Sequence, residues 1–263
     1  MEVLHDREFY TNAAARYSSH VPLLVLDFDG VICDSVEECF VSSWTAYYAL
    51  HRRLPGGEPP ASARAEFRAM RPFVRSGEDF VLIQELIAEG RSVRDQQDFD
   101  RAWARPGTPS PDQFKELFYR ARTDLLEKDR LAWLSLNRIY PHVSAALSAL
   151  PPAVPLYILS TKKPQFVSDT LRANGITVPE AHVLYSHGEP KLTTVEKLRE
   201  TLGYEEVILV EDQIDAIRGN TNPRIRAYLA SWGYVQESWL RESSGVHVLS
   251  PDDFVELVAA QTA

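Results

Sequence analysis

The sequence predicts an α/β fold: a Rossmann-like parallel sheet core flanked by helices, with an all-α domain inserted after the first strand. Three observations carry this reading. The run Leu23-Leu24-Val25-Leu26 is stopped by Asp27-Phe28-Asp29-Gly30, as expected of a strand buried on both faces and closed by a turn. From Ser35 to about Leu136 apolar residues recur at helical spacing, in Val36, Cys39, Phe40, Trp44, Tyr47 and again in Phe80, Ile83, Leu86, Ile87. From Pro141 onward short apolar runs alternate with helical stretches, which means parallel strands joined by crossover helices.

Taken in order, residues 1–20 read as a short helix or arm before the first strand. Within the helical block, Pro and Gly clusters at Pro55–Pro60 and Pro106–Pro111 mark breaks, and Ser110-Pro111 opens a long helix as cap and first-turn residue. Strands are expected at Leu156–Leu159, Val183–Tyr185, Val207–Val210, Arg226–Ala230 and Val246–Leu249. Helices follow from about Pro164, Leu192, Asp215, Gln236 and Pro251. The first strand therefore belongs with the C-terminal half: residues 1–34 and 137–263 form the core, and 35–136 the insertion.

Composition narrows the function. Of 263 residues 44% are hydrophobic, enough for a sizeable core, and 28 Lys and Arg stand against 37 Asp and Glu for a net charge of −9. That balance disfavours nucleic acid or an anionic membrane as partner. A small anionic substrate then needs local cations or a metal. Cys33 and Cys39 are too few for a disulfide framework and form no Cys-x-x-Cys pair, so a reduced, cytoplasmic setting is expected. Glu2, Asp6 and Glu8 interrupt the first twenty residues, which do not read as a signal peptide, and no apolar run approaches a membrane span.

In an open parallel sheet, ligands bind beyond the carboxyl ends of the strands, and chemistry-bearing residues collect there. Period-2 alternation sends the Asp27 and Asp29 carboxylates to one side and Phe28 to the other. Two adjacent carboxylates repel and need a proton or a cation between them. With a divalent metal screening the pair, one carboxylate can attack phosphorus while the other gives and takes a proton. An Asp-Gly turn closing a strand is the plain alternative. Other strand ends carry Ser160-Thr161-Lys162, the loop Gly188-Glu189-Pro190-Lys191, and Glu211-Asp212 with Asp215 behind. Hydroxyl and ammonium donors suit a phosphoryl group, and carboxylates suit a hard cation such as Mg2+.

With these four segments in order, the chain resembles the haloacid dehalogenase superfamily, a group of aspartate-nucleophile phosphotransferases, and the helical insertion resembles that family's first type of cap. The resemblance implies Asp27 as nucleophile and Asp29 as general acid/base, Ser160 as a phosphate contact with Thr161 beside it in substrate binding, and Lys191 as the neutralising cation. It also implies a Mg2+ site from Asp27, the Asp29 carbonyl, Glu211 and Asp212, supported by Asp215. Which of the last three acids binds metal directly is open, and Lys162 and Lys163 compete with Lys191 as cations beside Ser160.

The expected function is Mg2+-dependent hydrolysis of a small phosphorylated metabolite, a phosphomonoester, through an aspartyl-phosphate. The alternatives are a phosphomutase acting on a sugar phosphate and a non-catalytic scaffold that binds a phospho-ligand. Arg64, Arg68, Arg71 and Arg75 follow helical spacing, most simply as a solvated basic face. Arg71 and Arg75 flank a Pro-Phe-Val-Arg-Ser-Gly stretch and are carried as candidate substrate contacts. Trp44, Tyr47, Tyr48, Trp103 and Trp133 read as cap core rather than a stacking platform. His142, His182 and His187 lack zinc-ligand spacing, and Cys33 reads as a small buried thiol. Oligomeric state has no signature in the sequence.

Overall fold

Leu23–Leu26 forms strand β1, every residue of it buried. It is followed by β2 (Cys33–Asp34), β3 (Arg138–Ile139), β4 (Leu156–Ser160), β5 (Val183–Tyr185), β6 (Val207–Glu211), β7 (Ile225–Ala230) and β8 (His247–Leu249). The computed structural model describes residues 21–53, 58–152, 154–186, 188–241 and 245–262. The expected arm at 1–20, part of the 55–60 cluster and His187 lie outside the described residues. The chain divides into two compact units, Met1–Cys33 with Ile139–Ala263, and Asp34–Arg138. The short strands β2 and β3 pair where the chain passes from one unit to the other and back.

The first unit is built on a six-stranded parallel sheet in the order β5-β4-β1-β6-β7-β8. Its central strands are continuous apolar runs because both faces are covered. Leu24, Leu26 and Phe28 pack with Leu156 and Ile158 on one face, against Val143, Val167, Leu171 and Phe254 from helices. Leu23 and Val25 pack with Tyr157, Leu159, Val207 and Leu209 on the other, against Val195, Leu202 and Trp239. From β4 the chain continues outward to β5, whereas from β6 it continues the opposite way to β7 and β8. The crevice between β1 and β6 is thus where strand order reverses, the place an open α/β sheet offers a ligand. β1 leads into a tight turn in which Ile32 and Cys33 both donate to the Phe28 carbonyl at 2.9 and 2.8 Å. Gly30 takes φ +93° there, a conformation that side-chain-bearing residues rarely adopt. Cys33 and Cys39 are both buried thiols outside any disulfide.

The second unit is helical: α1 (Val36–Leu50), α2 (Ala61–Met70), α3 (Gly77–Ala88), α4 (Gln96–Trp103), α5 (Pro111–Lys128) and α6 (Arg130–Ser135). Ser110 caps α5 by accepting from the Gln113 amide at 3.3 Å, with Pro111 in its first turn. The core is aromatic. Phe67 meets Phe40 edge-on and stacks on Phe80, which stacks in turn on Phe118. Trp133 is fully buried, and the Trp103 indole donates to Asp79 at 3.0 Å. An ionic knot lies inside this core: Arg122 Nε and Nη2 donate to the two oxygens of Glu38 at 2.8 Å, and Ser42 and Trp133 donate to the same carboxylate at 2.7 and 3.2 Å. Among the described residues no helix is long and apolar enough to cross a membrane.

Asp79 closes a capping box at the start of α3, accepting from the Arg75 and Ser76 amides at 2.8 and 3.1 Å as well as from Trp103. Burial outweighs these donors and pushes its pKa from 3.8 up to about 6. Because the folded pKa lies above the unfolded one, its contribution is greatest below pH 4 and is lost as the pH rises to about 6. The loss is on the order of 2–3 kcal/mol, and none follows above that pH. Urea melts at pH 4.5, 6 and 8 should therefore show the advantage of wild type over Asp79→Asn shrinking with pH. An advantage that grows with pH removes burial as the dominant influence.

Candidate active site

Asp27 stands one residue beyond β1, its amide bonded to the Val210 carbonyl of β6 at 2.9 Å. It continues the face of Leu23 and Val25. Leu26 pairs in register with Val210, so the next residues along, Asp27 and Glu211, meet across the crevice. Carboxylate oxygens of Asp27, Glu211 and Asp212 all lie within 4.8 Å of one another, and all three residues are buried. Lys191, the first residue of the helix Lys191–Leu202 (α9 in chain order, after Pro141–Ala149 and Pro164–Ala173), reaches into this group. Its ammonium is 2.7 Å from Asp27 Oδ1 and 2.6 Å from Glu211 Oε1.

The electrostatics follow from this crowding. Burial and the neighbouring Asp27 charge drive the Glu211 carboxyl well above the ordinary range, with Asp212 adding to the rise and Lys191 opposing it. For Lys191, burial disfavours the charge, but Asp27 and Glu211 outweigh it and hold the ammonium charged. Three buried carboxylates on one lysine are therefore under-compensated, and an oxygen-only donor set of this kind fits a hard divalent cation.

Asp212 is held from behind. Its Oδ2 accepts from the Tyr234 amide at 2.9 Å, and Gly30 and Gly233 pack so closely against it that a Cβ on either would overlap the Asp212 side chain. Trp232 donates to the Val31 carbonyl at 3.0 Å, tying this loop after β7 to the turn after β1. Neither Tyr234 nor Gly233 is evident from sequence as part of the site. A backbone donor 22 residues away leaves no side-chain signature, and only the glycine between two aromatics hints at close approach.

The remaining candidates separate. Asp29 pairs with Lys162, whose ammonium lies 3.0 Å from Oδ1. The two buried lysines thus pair with different carboxylates, Lys191 with Asp27 and Lys162 with Asp29. Ser160 ends β4 on the side of Leu156 and Ile158, and its hydroxyl accepts from the Lys162 amide at 3.1 Å. Thr161 comes next, the first residue beyond the end of β4. Asp215 sits on the short turn Ile214–Ala216 and pairs with Arg218 at 2.8 Å, outside the three-carboxylate group. In the helical unit, Arg71 lies over the Phe80 ring at 5.3 Å and Arg75 pairs with Asp100 at 2.6 Å. Arg64 pairs with Glu37, and Arg68 with Asp34 at 3.0 Å.

Comparison with known proteins agrees with this architecture. Residues 21–219 match the family model of haloacid dehalogenase-like hydrolases, whereas no curated protein matches the chain. Among solved structures, a predicted phosphoglycolate phosphatase from Haemophilus somnus superposes with a TM-score of 0.58 at 15% identity, covering 91% of this chain and 98% of its own. A predicted phosphatase from Clostridium acetobutylicum gives 0.56 at 13% identity, covering 91% and 99%. A haloacid dehalogenase-superfamily hydrolase of subfamily IA from Geobacter sulfurreducens gives 0.54 at 13%, covering 92% and 99%. At these identities the likeness is one of fold, and the family-model match covers most of the chain. With Asp27 at the end of the central strand and the acidic pair on its neighbour, the chain belongs to the haloacid dehalogenase-like hydrolases.

Proposed function

We propose that this hydrolase is a Mg2+-dependent phosphatase of small phosphomonoesters, acting through an aspartyl-phosphate on Asp27. The observation that carries the reading is the buried Asp27 carboxylate, grouped with Glu211 and Asp212 and paired with Lys191. When ionised, Asp27, Glu211 and Asp212 carry three negative charges against one positive charge on Lys191, an excess matching one divalent cation. Asp27, Glu211, Asp212 and the Asp29 carbonyl would hold that ion, which supplies charge neutralisation when bound. Asp215, occupied by Arg218, is left in a supporting place.

In the first step Asp27 attacks phosphorus, the bond from phosphorus to the alcohol oxygen breaks, and Asp29 passes its proton to that oxygen. In the second, water gives its proton to Asp29 as it attacks phosphorus, and the bond to Asp27 breaks. Lys191 lies against the attacking carboxylate and neutralises charge as the phosphoryl group approaches. Ser160 and Thr161 offer the phosphoryl group hydroxyls at the end of β4, and Ser160 also shapes the loop through the Lys162 amide. A phosphorylated small carboxylic acid is the first ester to try, because a structural relative is named for phosphoglycolate. Arg71 and Arg75 receive no substrate role, since each is engaged within the helical unit.

The test is a panel of phosphate esters assayed with Mg2+ and with chelator. Phosphate release that depends on Mg2+ and falls to background in chelator is expected. Isomerised sugar phosphate without free phosphate would transfer the assignment to a mutase, and metal-independent release would remove the cation from it.

A further inference from the structure

Two lysines enter this site, and the phosphatase reading uses only Lys191. Lys162 is more enclosed than the carboxylate it serves: its side chain is 1% exposed, against 16% for Asp29. Its surroundings fix it. The ammonium is 3.0 Å from Asp29 Oδ1, it lies 5.4 Å from the centre of the fully buried Phe28 ring, and its backbone amide donates to Ser160 at 3.1 Å. The loop after β4 is thereby clamped to the turn after β1 through a buried cation. We propose that Lys162 is a positioning residue, holding the Asp29 carboxyl in the one orientation from which it reaches the departing oxygen.

This inference rests on the phosphatase reading and deepens it. A carboxylate on a turn has several rotamers of similar energy, and proton transfer requires approach to about 3 Å of the reacting oxygen. A charge-assisted bond from an enclosed donor removes that freedom. The enclosure also argues against Lys162 as a phosphate contact, because its ammonium is bonded to Asp29 and lies over the Phe28 ring, while the cation beside Asp27 is Lys191. The consequence is selective. Esters that leave as alkoxides need the Asp29 proton as the bond from phosphorus to oxygen breaks, whereas nitrophenolate leaves without it.

The experiment compares wild type, Lys162→Met, Lys162→Arg and Asp29→Asn on glycerol 2-phosphate and on p-nitrophenyl phosphate, with orthovanadate inhibition and circular dichroism alongside. Lys162→Met should lose about 100-fold in kcat/KM on the alkyl ester and less than about 5-fold on the nitrophenyl ester, within the range of general acid catalysis. Vanadate affinity should change by less than about 3-fold. Asp29→Asn should show the same split more strongly, and Lys162→Arg should recover most of the alkyl-ester rate. Equal losses on both esters overturn the proposal in favour of a structural role. Weakened vanadate binding overturns it in favour of a phosphate contact. If Lys162→Met unfolds, the same split read in Lys162→Gln, which keeps a neutral donor, decides the matter. Absence of Mg2+-dependent hydrolysis by wild type overturns the phosphatase reading together with this one, whereas an active wild type with a uniform loss overturns this one alone.

Discussion

Asp27→Asn should abolish turnover while leaving the fold in place. The amide keeps the shape of the side chain at the end of β1 but cannot form the acyl-phosphate bond, so kcat should fall at least about a thousandfold, the scale on which loss of a nucleophile is felt. Stability should hold, because Lys191 keeps Glu211 as partner at 2.6 Å and the repulsion among Asp27, Glu211 and Asp212 is relieved. In chelator, the melting temperature of the variant should equal or exceed that of wild type. Residual activity above about a thousandth would exclude a covalent route through this residue. A large fall in melting temperature would mean that the Lys191 pair with Asp27 is a structural necessity rather than a catalytic one.

The second large effect belongs to the helical unit. Arg122→Met removes the guanidinium that forks onto the buried Glu38, a fully enclosed carboxylate that also accepts from Ser42, Trp133 and the Cys39 thiol. Breaking a buried pair from one side costs about 3–5 kcal/mol. Adding Glu38→Gln to it should recover much of that loss, since the stranded charge is then gone. Urea denaturation of the two variants and the Glu38→Gln single variant closes the cycle. A loss below about 1 kcal/mol for Arg122→Met would mean that Glu38 takes up a proton and needs no guanidinium.

What was legible in the sequence was whatever period and chain order encode. Leu23–Leu26 is apolar at every position because helices cover both faces of its sheet, and that continuity marks a central strand. Asp27, Lys191, Glu211 and Asp212 each stand at a strand or helix end, so locating the ends located the buried acidic group and its lysine. Pairings across the fold were not legible. Helical spacing puts Glu38 on a buried face of α1, but nothing local names Arg122, 84 residues on, as its partner. Lys162 was visible as a cation but not as the partner of Asp29, because a side chain of that reach touches several strand ends. Asp215 drew attention by its nearness to Asp212 in the chain. The short turn that follows β6 instead directs it to Arg218.

Gly30 and Gly233 show how a site can depend on atoms that are missing. Each leaves room for the Asp212 side chain where any Cβ would overlap it, and Gly30 also holds a backbone angle suited to glycine. Neither offers a functional group, so a search for reactive side chains passes over both. Yet a Cβ at Gly30 would meet the Asp212 carboxylate and a backbone angle that side-chain-bearing residues rarely adopt, whatever the charge or polarity beyond it. The acidic site is thus bounded by emptiness on two sides, and its shape depends on that emptiness as its charge depends on the acids.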